Sequence, residues 1–347
     1  MQDMKALLVF LVILLSLSGC EAEAEERVFL DLPEREATEH EIIYLAKGET
    51  YTLEASSVSG VGNLYSSEDE DILSVSGNTV TALSPGKTAI ENSSDRYVFE
   101  VSDLYTPPAV NHEKEFLPCR RYSEEEAEYI DKILAYEVEE AGPKTRAAAV
   151  AAARFLLLRF PYKLSYFYEN GRLNGQLLEA DGEGRYYHRG LYLFETKKEE
   201  ITASVTGPEI WGCPLYEYER DKKVDNGLDC SGFISWVLLN AGYDTGDIGA
   251  GPSNDITDLT DLGEKASVKD IAMEDIRTGD LVGLEGHIGI IIGMDEEYIY
   301  IGEAYWVKDL QVRVYTYEEF LTKAEWDYVI RMDTFYKNDG NLKDAWE

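Results

Sequence analysis

At 347 residues, 44% of them hydrophobic, the chain is long enough for two domains of ordinary size, each with a core of its own. Its 67 acidic against 32 basic residues give a formal net charge of −35. Such a surface repels polyanions and makes nucleic acid, anionic lipid headgroups and anionic wall polymers poor electrostatic partners. Four cysteines and four histidines leave few residues for thiol or imidazole chemistry, and neither C-x-x-C nor H-E-x-x-H spacing occurs, so no metal site is expected.

Residues 1–19 read as a lipoprotein signal peptide. Lys5 lies in a short polar start, and the apolar run from Ala6 to Leu15 is too short to span a bilayer. Next comes Leu17-Ser18-Gly19-Cys20, which resembles the bacterial lipobox. That resemblance implies a lipid on Cys20, which becomes the mature N-terminus and anchors the protein, extracytoplasmic, to the bacterial cell membrane. Residues 20–26 are polar and self-repelling and read as a tether.

From 27 to 104 short alternating runs predict strands at Val28-Phe29-Leu30, Ile42-Ile43-Tyr44, Tyr51-Thr52-Leu53, Ile72 to Val75, Thr79 to Ala82 and Tyr97 to Val101. Turn residues such as Gly77-Asn78 and Ser84-Pro85-Gly86 separate them. So many short strands predict a small all-β sandwich. Ser66 to Ile90, with Asp71-Ile72-Leu73-Ser74-Val75 and the later Pro85-Gly86, resembles a bacterial immunoglobulin-like domain, which implies a spacer rather than a binder.

Residues 105–122, with Pro107-Pro108 and Pro118, read as a linker, and 123–205 as a helical and aromatic elaboration of the C-terminal domain. Ser123 and Glu126 form a capping-box pattern. Ala127, Ile130, Leu134 and Val138 then mark one helix face up to Gly142-Pro143. Pro143 is expected to open a second helix, Lys144 to Phe160, whose alanines and leucines predict burial. The tyrosines after it (Tyr162, Tyr166, Tyr168, Tyr186, Tyr187 and Tyr192) either line a groove or pack over the helices.

In residues 206–336 the chemistry concentrates. After the turn Asn226-Gly227, the apolar residues Phe233, Ile234, Trp236, Val237 and Leu238 recur at helical spacing and put Cys230 at a helix N-terminus. There the free N–H groups and the helix dipole favour a thiolate, the nucleophilic form. Asp229 and Ser231 flank it as caps or substrate contacts. His287 is the one histidine downstream of Cys230 and precedes a β-branched run, Ile288 to Gly293. A polar turn and a second strand from Glu297 come next. If Gly293 pairs with Glu297, His287 lies opposite Glu303 on one sheet face, and Glu303 accepts the proton of Nδ1. Asp255, Asp258 and Asp261 lack the alternation of a calcium loop and read as solvated. Cys119 and Cys213 are left either as a disulfide or as two partly buried thiols.

Asp229-Cys230-Ser231-Gly232-Phe233, then Gly279-Asp280-Leu281-Val282, then His287-Ile288-Gly289-Ile290, resemble in order and spacing the NlpC family of bacterial cell-wall cysteine peptidases. The resemblance covers residues 206–336 and leaves 337–347 as a tail. It implies an α+β papain-like peptidase, so the expected architecture is two-domain, an immunoglobulin-like sandwich followed by that peptidase. It also implies cleavage of peptidoglycan stem peptides, often between D-glutamate and a diamino acid, with no metal or organic cofactor. In the family the third catalytic position is often histidine, and here Glu303 stands in it. The family's aspartate and serine beside the nucleophile bind a free stem-peptide amine, a role that falls on Asp229 and Ser231. Tyr218 has the spacing of the family's substrate tyrosine, but Trp211-Gly212 comes before it, so Trp211 or Tyr216 is an alternative. Two rival readings are an amidase or acyl transferase on the same scaffold and a catalytically silent wall-binding lipoprotein.

Overall fold

Period-two runs at both ends of the chain form sheets and the three-to-four period between them forms helices, so the protein is mixed α/β. The computed structural model describes residues 30–31, 42–53, 65–108, 112, 115, 124–162, 164–166, 227–245, 248, 259–306 and 309–343. The expected signal peptide with Cys20, the tether, Cys119, Cys213, Trp211, Tyr216, Tyr218, Asp255, Asp258 and most of the tyrosine-rich segment lie outside them.

The N-terminal strands make two sheets. Ile42–Ala46 (β1), Arg96–Ser102 (β7), Gly86–Glu91 (β6) and Ser66–Ser67 (β3) lie side by side in that order, β1 and β7 parallel and the others antiparallel. Thr50–Thr52 (β2), Thr79–Ala82 (β5) and Leu73–Ser76 (β4) form the second sheet, all antiparallel. Leu45, Leu53, Leu73, Val80, Ile90, Phe99 and Val101 fill one core between the runs. Strand β6 was not expected, because Pro85-Gly86 reads as a turn; its Thr88, Ala89 and Ile90 are nonetheless buried.

Helix α1, Glu124–Ala141, buries Ile130, Ile133, Leu134 and Val138 on one face. Helix α2, Arg146–Arg154, starts later than expected and continues into a π-helical turn, Phe155–Arg159. Pro143 does not open it. Lys144 has φ +61°, outside helical space, and the Thr145 hydroxyl caps the helix by accepting the Ala148 N–H at 3.2 Å. The alanines of α2 are nearly all buried, and their small side chains leave room for the close neighbours α1 and α3.

Helix α3 is Cys230–Asn240, and every residue in it is buried. It packs on α2 and on the middle of a six-stranded antiparallel sheet. The strand order is Glu264–Ser267 (β8), Tyr328–Arg331 (β13), Leu281–Leu284 (β9), His287–Met294 (β10), Tyr298–Tyr305 (β11) and Asp309–Thr316 (β12). One face of this sheet buries Val282, Ile291, Ile299, Ile301, Phe320, Trp326 and Val329 together.

The described residues from Asp31 onward form one compact unit. The N-terminal sheets meet the helices through Tyr44, whose ring lies edge-on to Tyr129 and Tyr136. They meet also through the buried Arg159, which pairs with Glu49 of the β1–β2 turn at 2.8 Å and with Glu137 of α1 at 2.6 Å. Burial pushes the Glu49 carboxyl up, and Arg159 pulls against it. At the start of the expected linker Tyr105 is buried beneath Arg159, and the Thr106 N–H donates to the Arg159 carbonyl at 2.8 Å.

Candidate active site

Asp229 has an extended backbone, φ −81° and ψ 179°, and its carboxylate accepts the Gly232 N–H at 2.7 Å, which makes it the N-cap of α3. Cys230 is therefore the first residue of an eleven-residue helix. Ser231 donates its hydroxyl proton to Asp229 Oδ1 at 3.3 Å, and both side chains are buried. Cys230 is itself buried.

His287 opens β10 directly after a two-residue turn, Glu285-Gly286, since Leu284 pairs with His287 across the β9–β10 hairpin. Gly286 has φ +79°, a conformation that suits glycine. Its carbonyl oxygen lies 3.9 Å from Cys230 Sγ, with the thiol as donor. The start of α3 thus meets the chain one residue before His287.

Across β11, His287 Nε2 is 2.7 Å from Glu303 Oε2. Glu303 has no solvent exposure at all, and His287 is 9% exposed. The expected pairing holds in kind but differs in two particulars. Ile290 pairs with Gly302 and Met294 with Ile299, with a bulge between Ile291 and Gly293, so the register lies three residues from the expected one next to the turn and two on the His287 side of the bulge, and Glu303 stands diagonal to His287. Asp295 sets this turn: its carboxylate accepts the N–H groups of Glu297 at 2.8 Å and Tyr298 at 2.7 Å, which keeps Glu297 out of the ladder. The ring nitrogen bonded to Glu303 is Nε2 rather than Nδ1, which leaves Nδ1 as the nitrogen able to exchange a proton elsewhere.

Four groups around this pair were not singled out in the sequence. The indole of Trp326 stacks on the imidazole, centroids 5.4 Å apart and planes within 18°. A side chain at Gly289 would come within 3.3 Å of that indole, so the glycine after Ile288 clears the space for the stack. Gln311 donates its side-chain N–H to Glu303 Oε1 at 2.6 Å, and Arg313 Nε lies 3.6 Å from the same oxygen. Tyr305 packs edge-on to His287, centroids 5.4 Å apart.

Gly279-Asp280 has a different task. Asp280 is fully buried and accepts from Arg146 Nη1 at 2.7 Å, the Arg277 N–H at 2.9 Å and the Met332 N–H at 3.0 Å. Burial pushes its carboxyl up, and the hydrogen bond and charge of Arg146 pull it back. Gly279 has φ +93°, and a Cβ there would stand 2.7 Å from Arg146 Cγ. The pair therefore seats the first residue of α2 against the start of β9.

Comparison with protein-family models, with curated proteins and with solved structures returned no match.

Proposed function

We propose that the protein is a cysteine peptidase of the bacterial cell wall, built as an immunoglobulin-like sandwich followed by a papain-like peptidase, and held to the membrane by a lipid on Cys20. The observation that supports it most is one arrangement. A cysteine begins a buried helix, the helix start touches the residue before a histidine, and that histidine is hydrogen-bonded to a buried carboxylate. The substrate class comes from the resemblance to the NlpC family.

In this reading the Cys230 thiolate attacks an amide carbonyl of a stem peptide, with N–H groups at the start of α3 facing the developing oxyanion. The tetrahedral adduct collapses to a thioester as His287 gives a proton to the leaving amine. His287 then takes a proton from water, the hydroxide attacks the thioester, and the carboxylate product leaves with Cys230 regenerated. Glu303 keeps the imidazole oriented and stabilises its protonated form. Asp229 and Ser231, buried beside the nucleophile, hold the free amine of the stem peptide, with Tyr218, or Trp211 or Tyr216 in its place, as a further contact.

Digestion of purified peptidoglycan, with mass spectrometry of the released fragments, tests this reading. New termini within stem peptides are expected, at the D-glutamyl to diamino acid bond. Fragments cut only at the sugar-to-peptide amide would mark an amidase, peptides joined to new acyl acceptors a transferase, and bound but uncut wall a binder.

Two variants extend the test. Glu303→Gln keeps an acceptor oxygen and loses the charge that steadies the imidazolium, so turnover should fall by about tens to thousands of fold with the thermal midpoint little changed. Wild-type turnover in that variant would remove Glu303 from the mechanism. Cys20→Ala should leave the protein in the soluble fraction or with its leader uncut, and a variant that both partitions with membranes and migrates as wild type does would end the lipid-anchor proposal.

A further inference from the structure

The carboxylate beside His287 is held by a second set of residues that lie on the neighbouring strand. Glu303 pairs directly with Gln311 across β11 and β12, and Arg313 pairs with Ile301, so all three side chains share the sheet face that carries His287. A buried carboxylate has two oxygens to satisfy. Oε2 faces His287 Nε2 at 2.7 Å, while Oε1 takes the Gln311 N–H at 2.6 Å and has Arg313 Nε at 3.6 Å. A carboxylate can only accept, so the nitrogen of the Gln311 amide is the atom that must face it. Arg313 is held in turn: its guanidinium lies over the rings of Tyr315 and Trp326, at 5.2 Å and 5.8 Å from their centroids, and Trp326 is the ring stacked on His287.

Resting on the peptidase reading above, we propose that Gln311, with Arg313 behind it, is the positioning residue that sets the tautomer of His287 by holding Glu303 in place as the acceptor of the Nε2 proton. With Oε1 accepting from Gln311 and Oε2 turned to the ring, Nε2 carries the ring proton and Nδ1 keeps its lone pair for the proton of Cys230. If Oε1 loses its donor, the carboxylate is free to turn toward another one, and Oε2 no longer holds the ring proton on Nε2. The ring proton then moves to Nδ1, and the nitrogen needed as base is blocked. Gln311 thus acts on chemistry through Glu303 without touching substrate.

The test uses the full-length protein, with its histidine ring nitrogens labelled with 15N, and the variants Gln311→Met, Arg313→Met and Arg313→Lys. Methionine matches the length of glutamine and donates nothing. The shifts of each protein are read in the Cys230→Ala background, where no thiol proton reaches the ring; with Gln311 and Arg313 intact, those of His287, assigned by their loss in His287→Ala, should show Nε2 protonated and Nδ1 bare. Gln311→Met should populate the Nδ1–H tautomer and lower kcat on stem peptides by about tenfold or more, with KM changed less than about twofold. Arg313→Met should do the same in smaller degree, and Arg313→Lys, which keeps the cation, should recover most of the loss. If Gln311→Met does not fold, the two Arg313 variants decide the matter by the same readouts. Unchanged His287 shifts in Gln311→Met, or in Arg313→Met where the first is unfolded, would overturn the proposal. A shifted tautomer in a protein whose wild type cuts no wall peptide would uphold the positioning role and sink the peptidase reading instead.

Discussion

Cys230→Ala and His287→Ala should each abolish wall-peptide turnover almost completely, and the double variant should be little worse than either. A nucleophile and its base work as one unit, so removing the second after the first costs almost nothing more. Alanine at position 230 removes the sulfur and leaves the Asp229 cap, whose bond is to the Gly232 backbone, in place. Folding should therefore survive, as a far-UV spectrum and a thermal midpoint close to wild type would show. His287→Ala removes a ring packed against Trp326 and Tyr305 and strips a buried carboxylate of one partner, so some stability should go with the activity. Turnover by Cys230→Ala at the wild-type rate would end the assignment of the nucleophile. Alkylation offers a second reading: iodoacetamide at pH 6 to 7 should label Cys230 ahead of Cys119 and Cys213, and equal labelling of all three would argue against an activated thiol.

Arg146→Met should destabilise the fold by about 3–5 kcal/mol, the cost of leaving a buried charge without its partner. Asp280 would keep two backbone N–H donors and lose its cation, and Asp333, 2.8 Å from Arg146 Nη2, would lose one as well. The midpoint of chemical denaturation would report the loss. Its pH dependence carries a sign. Burial already holds the Asp280 carboxyl above its ordinary value, so between the ordinary and the raised value the folded protein binds more protons than the unfolded chain. Stability from this group therefore falls as pH rises through that window. Without Arg146 the window widens upward, and the deficit should shrink as pH is lowered into it because the neutral carboxyl needs no cation. A variant within about 1 kcal/mol of wild type at neutral pH would show that the pair contributes little net stability.

The helix that begins at Cys230 was legible because a turn dipeptide and an apolar period mark its start from both sides. The meeting of His287 and Glu303 was legible for a different reason. Side chains alternate with a period of two along a strand, so a register wrong by two residues still puts the same side chains on the same face. A one-residue error would have separated them. The choice of Nε2 over Nδ1 was beyond reach, since it depends on ring rotation and on Trp326, which comes from a segment far along the chain. Strand β6 was hidden by Pro85-Gly86, whose turn signal outweighed three buried residues. Arg146 and Asp280 lie too far apart in sequence for any periodicity to join them, and nothing marks Gln311 and Arg313 until the register of β11 and β12 sets them against Glu303.

Helix α2 and its π-helical extension begin at Arg146 and end at Arg159, and each of those arginines is clamped by carboxylates, one at the six-stranded sheet and the other at the N-terminal sheets. Fourteen residues at a helical rise amount to roughly 20 Å of hydrogen-bonded rod. Mechanically this is a strut bolted at both ends. A tug on the N-terminal sheets is delivered along its axis to the sheet that bears His287, so the two halves turn together as a lever. Torque between them would have to break an ion pair before it could bend the rod.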